Sequence, residues 1–408
     1  MRHGGIVTDA GIRMNHKAQK SFQDSVKAAR LDRLPPYLFD EIDKAKKRAA
    51  EKGARVIDLA VGDPDLPTPA NIVERMREAV KNPSNHRYPG YAGSPALRRA
   101  IASWFRARFG VALDPDHEVL VLIGSKEGLG HLPMAVVNEG ETVLVPDPGY
   151  PVYENMSLMA GAKVRRFGIH ESNSFLPDMA ELRAAGEAKL MFVNYPNNPT
   201  GAVATSDFFG GLIDLARGRG VAVCNDAAYS EITFDGFRSP SILAAKGAME
   251  CAIEVHSFSK TFNMTGWRIG FAAGNRDILR ALAQVKVNVD SSVFGAVQEA
   301  AETALAMKYD ENLRVFEKRR SLAFAKLRQM GCHFFAPGGT FYVWATVPAG
   351  MTSMDLAVRL LEKTGVSVAP GSGFGKNGEG WFRLALTRPE AEIAEALERM
   401  AGLALWTS

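Results

Sequence analysis

The chain has 408 residues, of which 46% are hydrophobic and 23% charged, with a formal net charge of +4, and this composition is typical of a globular protein long enough for two domains. The lysines and arginines are scattered, and no run reaches the roughly 18 apolar residues of a membrane span, so the sequence predicts neither nucleic-acid nor membrane binding. Cys224, Cys251 and Cys332 lie far apart and the eight histidines are dispersed, which predicts a reducing, cytoplasmic location, no disulfide framework and no metal site.

The N-terminal part of the chain contains two kinds of segment. Residues 1–30 are polar and lack the apolar core of a signal peptide, so they predict a flexible extension. The stretch YLFDEIDKAKKRAAEKGA, residues 37–54, predicts a helix whose charged face is solvated. We assign residues 31–75 to the N-terminal part of a small domain.

Residues 76–300 alternate short apolar runs with amphipathic stretches of helical length. This alternation predicts a large α/β domain with a mostly parallel central sheet flanked by helices. In SDFFGGLIDLARGRG, residues 206–220, apolar residues recur every three or four positions and glycine closes the segment, as at a helix end. The runs predicted as strands are EVLVLIG, ETVLVPD, KLMFVNY, GVAVCND, CAIEVHS and RIGFAAG.

Residues 301–408 predict a second, smaller α+β domain, which the segment 31–75 is expected to join. A long helical stretch is followed by GCHFFAPGGTFYVWATV, WFRLAL and a terminal helix. The glycine-rich PGSGFGKNGEG resembles a nucleotide loop, but it leads into a strand rather than a helix, which argues against dinucleotide binding.

Polar and turn-forming residues follow five of the predicted strands, in GSKEG, DPGYP, PNNPTG, DAAYSE and FSKTF. In an open parallel sheet, ligands bind beyond the carboxyl ends of the strands. One crevice is therefore expected to gather these side chains: Ser125, Lys126, Tyr150, Asn198, Asp226, Tyr229, Ser257, Ser259 and Lys260.

These residue types limit the chemistry of the crevice. No His/Asp pair lies near a serine, so serine hydrolysis would lack its base, and the sequence shows no cluster of metal ligands. Lys260 is placed to form a Schiff base, Asp226 can hold the proton of a pyridinium, and the hydroxyl groups can bind a phosphate. The set fits pyridoxal 5′-phosphate, although a lysine after a strand can also be a solvated surface charge.

Motifs spread over nearly the whole chain resemble the class I and II pyridoxal-phosphate aminotransferases of fold type I. They are LAVGDPDLPTP, HRYPGYAGSPALR, IGSKEG, VPDPGYPVY, FVNYPNNPTG, NDAAYSEI, HSFSKTFNMTGWRIG and WFRLAL. Within that family, IGSKEG, DAAYSEI, SKTFNMTGWRIGFAAGN and VKVNVDSSVF are most similar to the LL-diaminopimelate aminotransferases.

The resemblance implies roles around the cofactor ring. Lys260 would bind the cofactor covalently and carry the proton removed from the substrate Cα, while Asp226 would bind the pyridine nitrogen. Tyr229 and Asn198 would hydrogen-bond the phenolic oxygen, and Tyr150 would stack on the ring, although an isolated aromatic residue could equally belong to the core.

The resemblance also implies a phosphate cradle and a homodimer. Ser257, Ser259 and Arg268 would bind the phosphate, and Ser125 with the backbone of Lys126 would add donors at a helix N-terminus. Alone, GSKEG could be an ordinary helix cap. Tyr88 corresponds to a tyrosine that reaches the phosphate of the neighbouring subunit, with Tyr91 as a competitor for that role, so composite active sites are expected.

Substrate contacts follow from the same resemblance. Arg383 would clamp the α-carboxylate through two hydrogen bonds, with Asn198, Gly62 and Tyr37 nearby, and APGGTFYVWA is expected to line the cavity unless it is a plain hairpin. Lys126 could meet a distal carboxylate or point outward, and Asn288 could reach the substrate across a dimer interface. Glu127 and Asp65 are the candidates for binding a distal ammonium group.

The predicted activity is ping-pong transfer of an amino group from an amino acid to a keto acid, in the biosynthesis of lysine if the donor is LL-diaminopimelate and the acceptor 2-oxoglutarate. Three alternatives stay open. One is an aminotransferase acting on N-succinyl-diaminopimelate, aspartate or alanine. A pyridoxal-phosphate carbon–sulfur lyase is another, and the third is the effector-binding half of a transcription regulator, which would need a DNA-binding domain ahead of this fold.

Overall fold

The structure, a computed structural model, describes residues 26–35, 38–51, 53, 55–307 and 310–406. The predicted extension over residues 1–30 lies almost wholly outside the described residues, and Tyr37 lies outside them too. The strands of the described part are β1 Ile57–Asp58, β2 Val119–Leu122, β3 Thr142–Asp147, β4 Lys163–Gly168, β5 Leu190–Val193, β6 Ala222–Asp226, β7 Ala252–Ser257, β8 Gly270–Gly274, β9 Phe334–Phe335, β10 Tyr342–Thr346, β11 Val366–Ser367, β12 Ala369–Pro370 and β13 Trp381–Ala385.

Helix α7, Ser206–Arg219, shows how the local sequence sets both ends of a helix. Helix α7 begins after Thr205, whose hydroxyl accepts from the N–H of Phe208, and ends at Gly220 with φ of 67°. The helices of the described part are α1 Leu38–Glu51, α2 Ala70–Ala79, α3 Pro95–Phe109, α4 Ser125–Val136, α5 Val152–Met159, α6 Met179–Ala184, α7 Ser206–Arg219, α8 Phe258–Thr261, α9 Arg276–Val289, α10 Gly295–Leu305, α11 Glu311–Gln329, α12 Ser353–Thr364 and α13 Glu390–Ala401. None of them is long and apolar enough to cross a membrane.

A seven-stranded sheet positions the predicted crevice. Its strand order is β2-β8-β7-β6-β5-β3-β4, and β8 alone runs antiparallel to its neighbours β2 and β7. All six predicted strands occur in it, so the mostly parallel α/β sheet is confirmed. Because β8 is reversed, its first residues lie at the same edge as the carboxyl ends of the other strands.

Strand β4 is the member of this sheet that the apolar pattern did not predict. Its sequence KVRRFG places three basic residues among the apolar ones. The strand lies at the edge of the sheet, beside β3, and its polar side chains are largely exposed, which suits an edge strand.

Both faces of the large sheet are covered by apolar packing. On β2, Leu120 and Leu122 enter one buried cluster, whereas Val119 and Val121 enter the cluster on the opposite face. This alternation leaves the carboxyl-end edge as the place where polar side chains can gather.

A four-stranded sheet of order β12-β13-β10-β9 forms the smaller α+β part of the fold. Strand β1, from the N-terminal stretch, pairs in parallel with β11 near the C-terminus. The pairing agrees with the expectation that residues 31–75 join residues 301–408, while the boundaries at 75 and 300 stay a prediction.

Candidate active site

A cavity of 390 Å³ lies at the carboxyl edge of the seven-stranded sheet, where β10 and β13 approach it. A larger groove of 820 Å³ adjoins it and shares Tyr150, but the smaller cavity holds the reactive groups. The cavity is lined by Val61, Gly62, Ser125, Lys126, Tyr150, Asn198, Asp226, Ala228, Tyr229, Lys260, Tyr342 and Arg383.

Lys260 presents an amine rather than a solvated charge. It lies in the short helix α8 directly after β7, and its Nζ donates a 2.8 Å hydrogen bond to the carbonyl oxygen of Gly62. Burial lowers the pKa of the Lys260 amine below its ordinary value, and the nearby cations Arg383 and Arg268 lower it further, against the opposing effect of Tyr342 and Asp63. The environment therefore favours the neutral, nucleophilic form.

Asp226 ends β6 as a buried carboxylate that is held in place by donors. Tyr153 Oη donates to its Oδ2 at 2.8 Å, and the N–H of Ala228 donates to its Oδ1 at 3.2 Å. Burial raises the pKa of the Asp226 carboxyl to about 6, while the bond from Tyr153 acts in the opposite direction. Asp226 is therefore ionised at neutral pH in a site that favours a cationic partner.

Two tyrosine hydroxyls meet on the opposite wall of the cavity. Tyr229 Oη lies 3.1 Å from Tyr342 Oη, and burial holds the pKa of Tyr229 well above its ordinary value, so Tyr229 can act as a hydrogen-bond donor. A Cβ at Gly62 would stand 1.9 Å from Tyr342 Oη, so only glycine fits there. The APGGTFYVWA segment lines the cavity as expected, but the sequence did not single out Tyr342.

Arg383 enters the cavity from β13 and is buried, not solvated at a sheet edge. Its Nη1 donates to Asn198 Oδ1 and its Nη2 to the carbonyl oxygen of Ala60, each at 2.6 Å. The guanidinium carbon lies 4.0 Å from the ring centre of Tyr342 and 4.8 Å from that of Phe374. Each terminal nitrogen of Arg383 carries a second N–H that these two bonds do not use, so the guanidinium keeps donors for a ligand.

A cradle for an anion forms where α4 begins. A Cβ at Gly124 would lie 2.4 Å from Arg268 Nη2, and a Cβ at Gly270 would lie 2.8 Å from the backbone nitrogen of Ser125. The glycines thus leave room in which the Arg268 guanidinium and the N-terminus of α4 stand close together. Ser257 Oγ caps α8 by accepting from the N–H of Ser259 at 3.2 Å.

These residues fit pyridoxal 5′-phosphate. A buried lysine with a lowered pKa, a buried carboxylate suited to a cation, and a glycine-lined cradle at a helix N-terminus match its aldehyde, its pyridine nitrogen and its phosphate. Arg383, which lines the same cavity, adds a site for a carboxylate.

Among the described residues, Tyr88, Tyr91 and Asn288 do not line this cavity, and neither do Ser257, Ser259 and Arg268. Tyr88 is 91% exposed, and Tyr91 is exposed too. Asn288 lies on the surface of α9, with Nδ2 donating to the carbonyl oxygen of Gln284 at 2.8 Å. Tyr37 lies outside the described residues. The roles given to Tyr88, Tyr91, Asn288 and Tyr37 depend on a second subunit or on undescribed residues and stay predictions.

The two carboxylates considered for a distal ammonium group are both engaged elsewhere. Glu127 binds the ammonium of Lys286 at 3.1 Å. Asp65 accepts two bonds from the guanidinium of Arg319, at 2.6 and 2.9 Å. Neither carboxylate lines the cavity.

Sequence reasoning missed two contributors, Tyr153 and Tyr342. Tyr153 lies in α5, three residues after Tyr150, and is fully buried beneath Asp226. The motif VPDPGYPVY contains both Tyr150 and Tyr153. The sequence signal that could have identified Tyr153 was its spacing of three residues from Tyr150, which places the two side chains on the same face of a helix.

Comparisons with known proteins agree with this geometry. Residues 54–400 match the family described as aminotransferase class I and II. The chain is 50% identical to the LL-diaminopimelate aminotransferase of Desulforudis audaxviator over 382 residues. This alignment covers 92% of this chain and 97% of that protein. The same enzyme of Syntrophobacter fumaroxidans is 50% identical over 383 residues, covering 93% and 99%.

A solved structure supports the same family. The substrate-bound structure of BacF from Bacillus subtilis matches with a TM-score of 0.91 at 37% identity, covering 94% of this chain and 99% of that one. The chain therefore belongs to the class I and II aminotransferases: it is a transaminase of fold type I that depends on pyridoxal 5′-phosphate.

Proposed function

We propose that this enzyme transfers an amino group from LL-diaminopimelate to 2-oxoglutarate in lysine biosynthesis. Transamination is supported by one observation above all: Lys260, Asp226 and Arg383 line the same cavity of 390 Å³. The choice of donor is supported by the relatives that are 50% identical over more than nine-tenths of the chain and are named LL-diaminopimelate aminotransferases.

The reaction centre is assigned to Lys260 and Asp226. When bound, pyridoxal 5′-phosphate supplies a ring that accepts the electrons left on the substrate Cα. Lys260 Nζ, whose pKa is lowered by burial, would take the proton from Cα and hold it within the cavity. The Asp226 carboxylate, fixed by Tyr153 and Ala228, keeps the pyridine nitrogen protonated.

The remaining residues bind and orient. Arg383 binds the α-carboxylate, supported by Asn198 and by the ring of Tyr342. Tyr229 and Asn198 would hydrogen-bond the phenolic oxygen of the cofactor, and Tyr150 would pack on its ring. The residues that would hold the phosphate are Ser125, the backbone of Lys126, Ser257, Ser259 and Arg268.

The distal end of the substrate is assigned to Lys126, which lines the cavity. Gly62 and Tyr37 are proposed as further substrate contacts, and Asn288 would reach the substrate across the dimer interface. A cation in the position of Lys126 suits a distal carboxylate, whether of diaminopimelate or of 2-oxoglutarate.

We infer a homodimer with composite sites. Tyr88 is an aromatic side chain that is 91% exposed, and such exposure of a large amphipathic group is characteristic of interfaces. Phe294 and Val289 are further exposed apolar side chains, close in sequence to Asn288. In the dimer, Tyr88 of each subunit reaches the phosphate bound by the other.

We also place the enzyme in the cytoplasm, because its three cysteines are free and far apart in sequence. The chain is divided into a large cofactor-binding domain, residues 76–300, and a small domain built from residues 31–75 and 301–408. The parallel pairing of β1 with β11 supports this division.

A donor panel tests the proposed function. Purified enzyme with 2-oxoglutarate is given LL-diaminopimelate, N-succinyl-diaminopimelate, aspartate or alanine, and glutamate is measured. We expect LL-diaminopimelate to have the highest kcat/KM. A higher value for any other donor would keep the transaminase and refute the diaminopimelate assignment.

The same assay without keto acid tests the lyase alternative. A transaminase then completes one half-reaction per site and stops, because no acceptor takes up the amino group. Continued release of ammonia from a thioether amino acid under these conditions would identify a lyase.

A further inference from the structure

Lys286 is a fully buried lysine to which the reaction described above gives no role. It lies on α9 with none of its side chain exposed, and its Nζ donates to Glu127 Oε2 at 3.1 Å and to Asp290 Oδ1 at 2.6 Å. An ammonium so deeply buried requires charged partners, and here two carboxylates flank it.

Glu127 connects this ion pair to the turn that begins α4. Its Oε2 accepts from the backbone N–H of Ile123 at 2.7 Å, and its Oε1 lies 3.1 Å from His131 Nδ1. Ile123 is followed by Gly124 and Ser125, which form the anion cradle beside Arg268. The Glu127 carboxylate, which accepts from Lys286, thus also holds the backbone of Ile123 next to the anion cradle.

The position of Glu127 creates an electrostatic conflict that Lys286 resolves. Glu127 stands in the first turn of α4, at the helix end where a phosphate would bind. Two negative groups at one helix N-terminus repel each other, and the repulsion is strong where water is excluded. The ammonium of Lys286 neutralises the carboxylate while leaving it available to the N–H of Ile123.

The same lysine holds the loop that follows α9. Asp290 Oδ1, besides binding Lys286, accepts from the N–H of Ser292 at 3.0 Å, and Ser292 has a φ of 83°, which is unusual for a residue with a side chain. One buried cation therefore ties together the start of α4 and the end of α9.

A divalent cation is a competing interpretation of this cluster. Glu127, His131 and Asp290 each bring a ligand atom within 4.8 Å of the others. Nζ of Lys286, however, contacts both carboxylates and already places one positive charge between them. The arrangement is an ion-pair network.

We propose that Lys286 is a positioning residue for the phosphate end of the cofactor, acting through Glu127 on the turn Ile123–Gly124–Ser125. The proposal rests on the proposed phosphate site. In the absence of Lys286, the unbalanced Glu127 carboxylate would oppose the phosphate and release the Ile123 N–H from its fixed position.

The test compares two ligands of the cofactor-free full-length enzyme, pyridoxal 5′-phosphate and pyridoxal, which share the ring and aldehyde and differ in the phosphate. The change in the ratio of their dissociation constants between wild type and a variant reports the phosphate site, because every other difference between the two ligands is the same in both proteins. Lys286→Met should lower this preference roughly tenfold while leaving pyridoxal binding unchanged. Lys318→Met, which removes an exposed lysine of α11, should leave the ratio unchanged.

A second substitution that removes the negative charge of Glu127 should rescue phosphate binding in Lys286→Met. Adding Glu127→Gln to Lys286→Met should restore the preference to within about threefold of wild type, because the amide oxygen still accepts from Ile123 without a negative charge. If Lys286→Met does not fold, the pair Glu127→Ala and Glu127→Gln decides: the alanine variant should lose the preference and the glutamine variant keep it.

Failure of the proposed phosphate site and failure of the positioning role of Lys286 give different results. Wild type that binds both ligands equally would overturn the proposed phosphate site. Wild type with a clear preference that persists in Lys286→Met, or is equally lost in both Glu127 variants, would overturn the positioning role alone.

Discussion

Replacing Asp226 by asparagine should stabilise the cofactor-free protein while abolishing its activity. The pKa of this carboxyl rises from 3.8 to about 6 on folding because it is buried, so the folded state binds the proton more readily than the unfolded state. The free energy of unfolding therefore falls as pH rises through this window. At about 1.36 kcal/mol per unit, the ionised carboxylate costs about 3 kcal/mol above pH 6.

Asparagine has nearly the same shape and no charge, and it keeps an oxygen for the N–H of Ala228. The variant's advantage over wild type should grow from about 2 kcal/mol at pH 5 to about 3 kcal/mol at pH 8, because wild type is largely protonated at the lower pH. Urea unfolding of both cofactor-free proteins at equal concentration measures it. Turnover by the loaded variant should fall about 100-fold or more, since the amide holds the pyridine proton poorly.

An advantage that is the same at both pH values would show that burial of the charge is not its cause. A variant less stable than wild type at pH 8 would refute the reasoning altogether.

Three further substitutions test separate parts of the site. Tyr153→Phe removes the donor to Asp226 and should raise the pKa of that carboxyl by about one unit. In a pH titration of cofactor binding, the acidic limit should therefore move to higher pH. Tyr195→Phe, which removes a buried hydroxyl bonded to a backbone carbonyl, is the control and should leave that limit unchanged. Arg383→Lys should raise the KM of every amino donor about 100-fold in steady-state assays without changing cofactor affinity, and an effect on one donor only would refute a common carboxylate clamp. Gly124→Ala places a Cβ 2.4 Å from Arg268 Nη2 at a φ of 74° and should weaken binding of pyridoxal 5′-phosphate at least tenfold in equilibrium dialysis, whereas unchanged binding would remove Arg268 from the cradle.

The central sheet and the residues at its carboxyl edge could be predicted because strand burial leaves a simple trace in sequence. Runs such as TVLVPD are apolar on both faces and end in turn formers, so Asp226 and Lys260 were predicted at one edge before any contact was known. Strand β4 was missed because its basic residues face solvent at the edge of the sheet, where burial imposes no pattern.

The supporting residues could not be predicted, because their roles depend on contacts between segments distant in sequence. Tyr153 is separated from Asp226 by 73 positions, and Lys286 from Glu127 by 159. Lys286 lies in an amphipathic helix, where a lysine is ordinarily solvated, and only packing against α4 shows that it is buried. Tyr88 and Asn288 need a second chain before their roles can be tested.

The measurement that tests the account most directly is identification of the lysine that holds the cofactor. Enzyme loaded with pyridoxal 5′-phosphate is treated with borohydride, which converts the lysine–cofactor linkage to a stable secondary amine, and the modified peptide is found by mass spectrometry. The account predicts the label on Lys260. A label on Lys126, which lines the same cavity, or no label on Lys260, would contradict it.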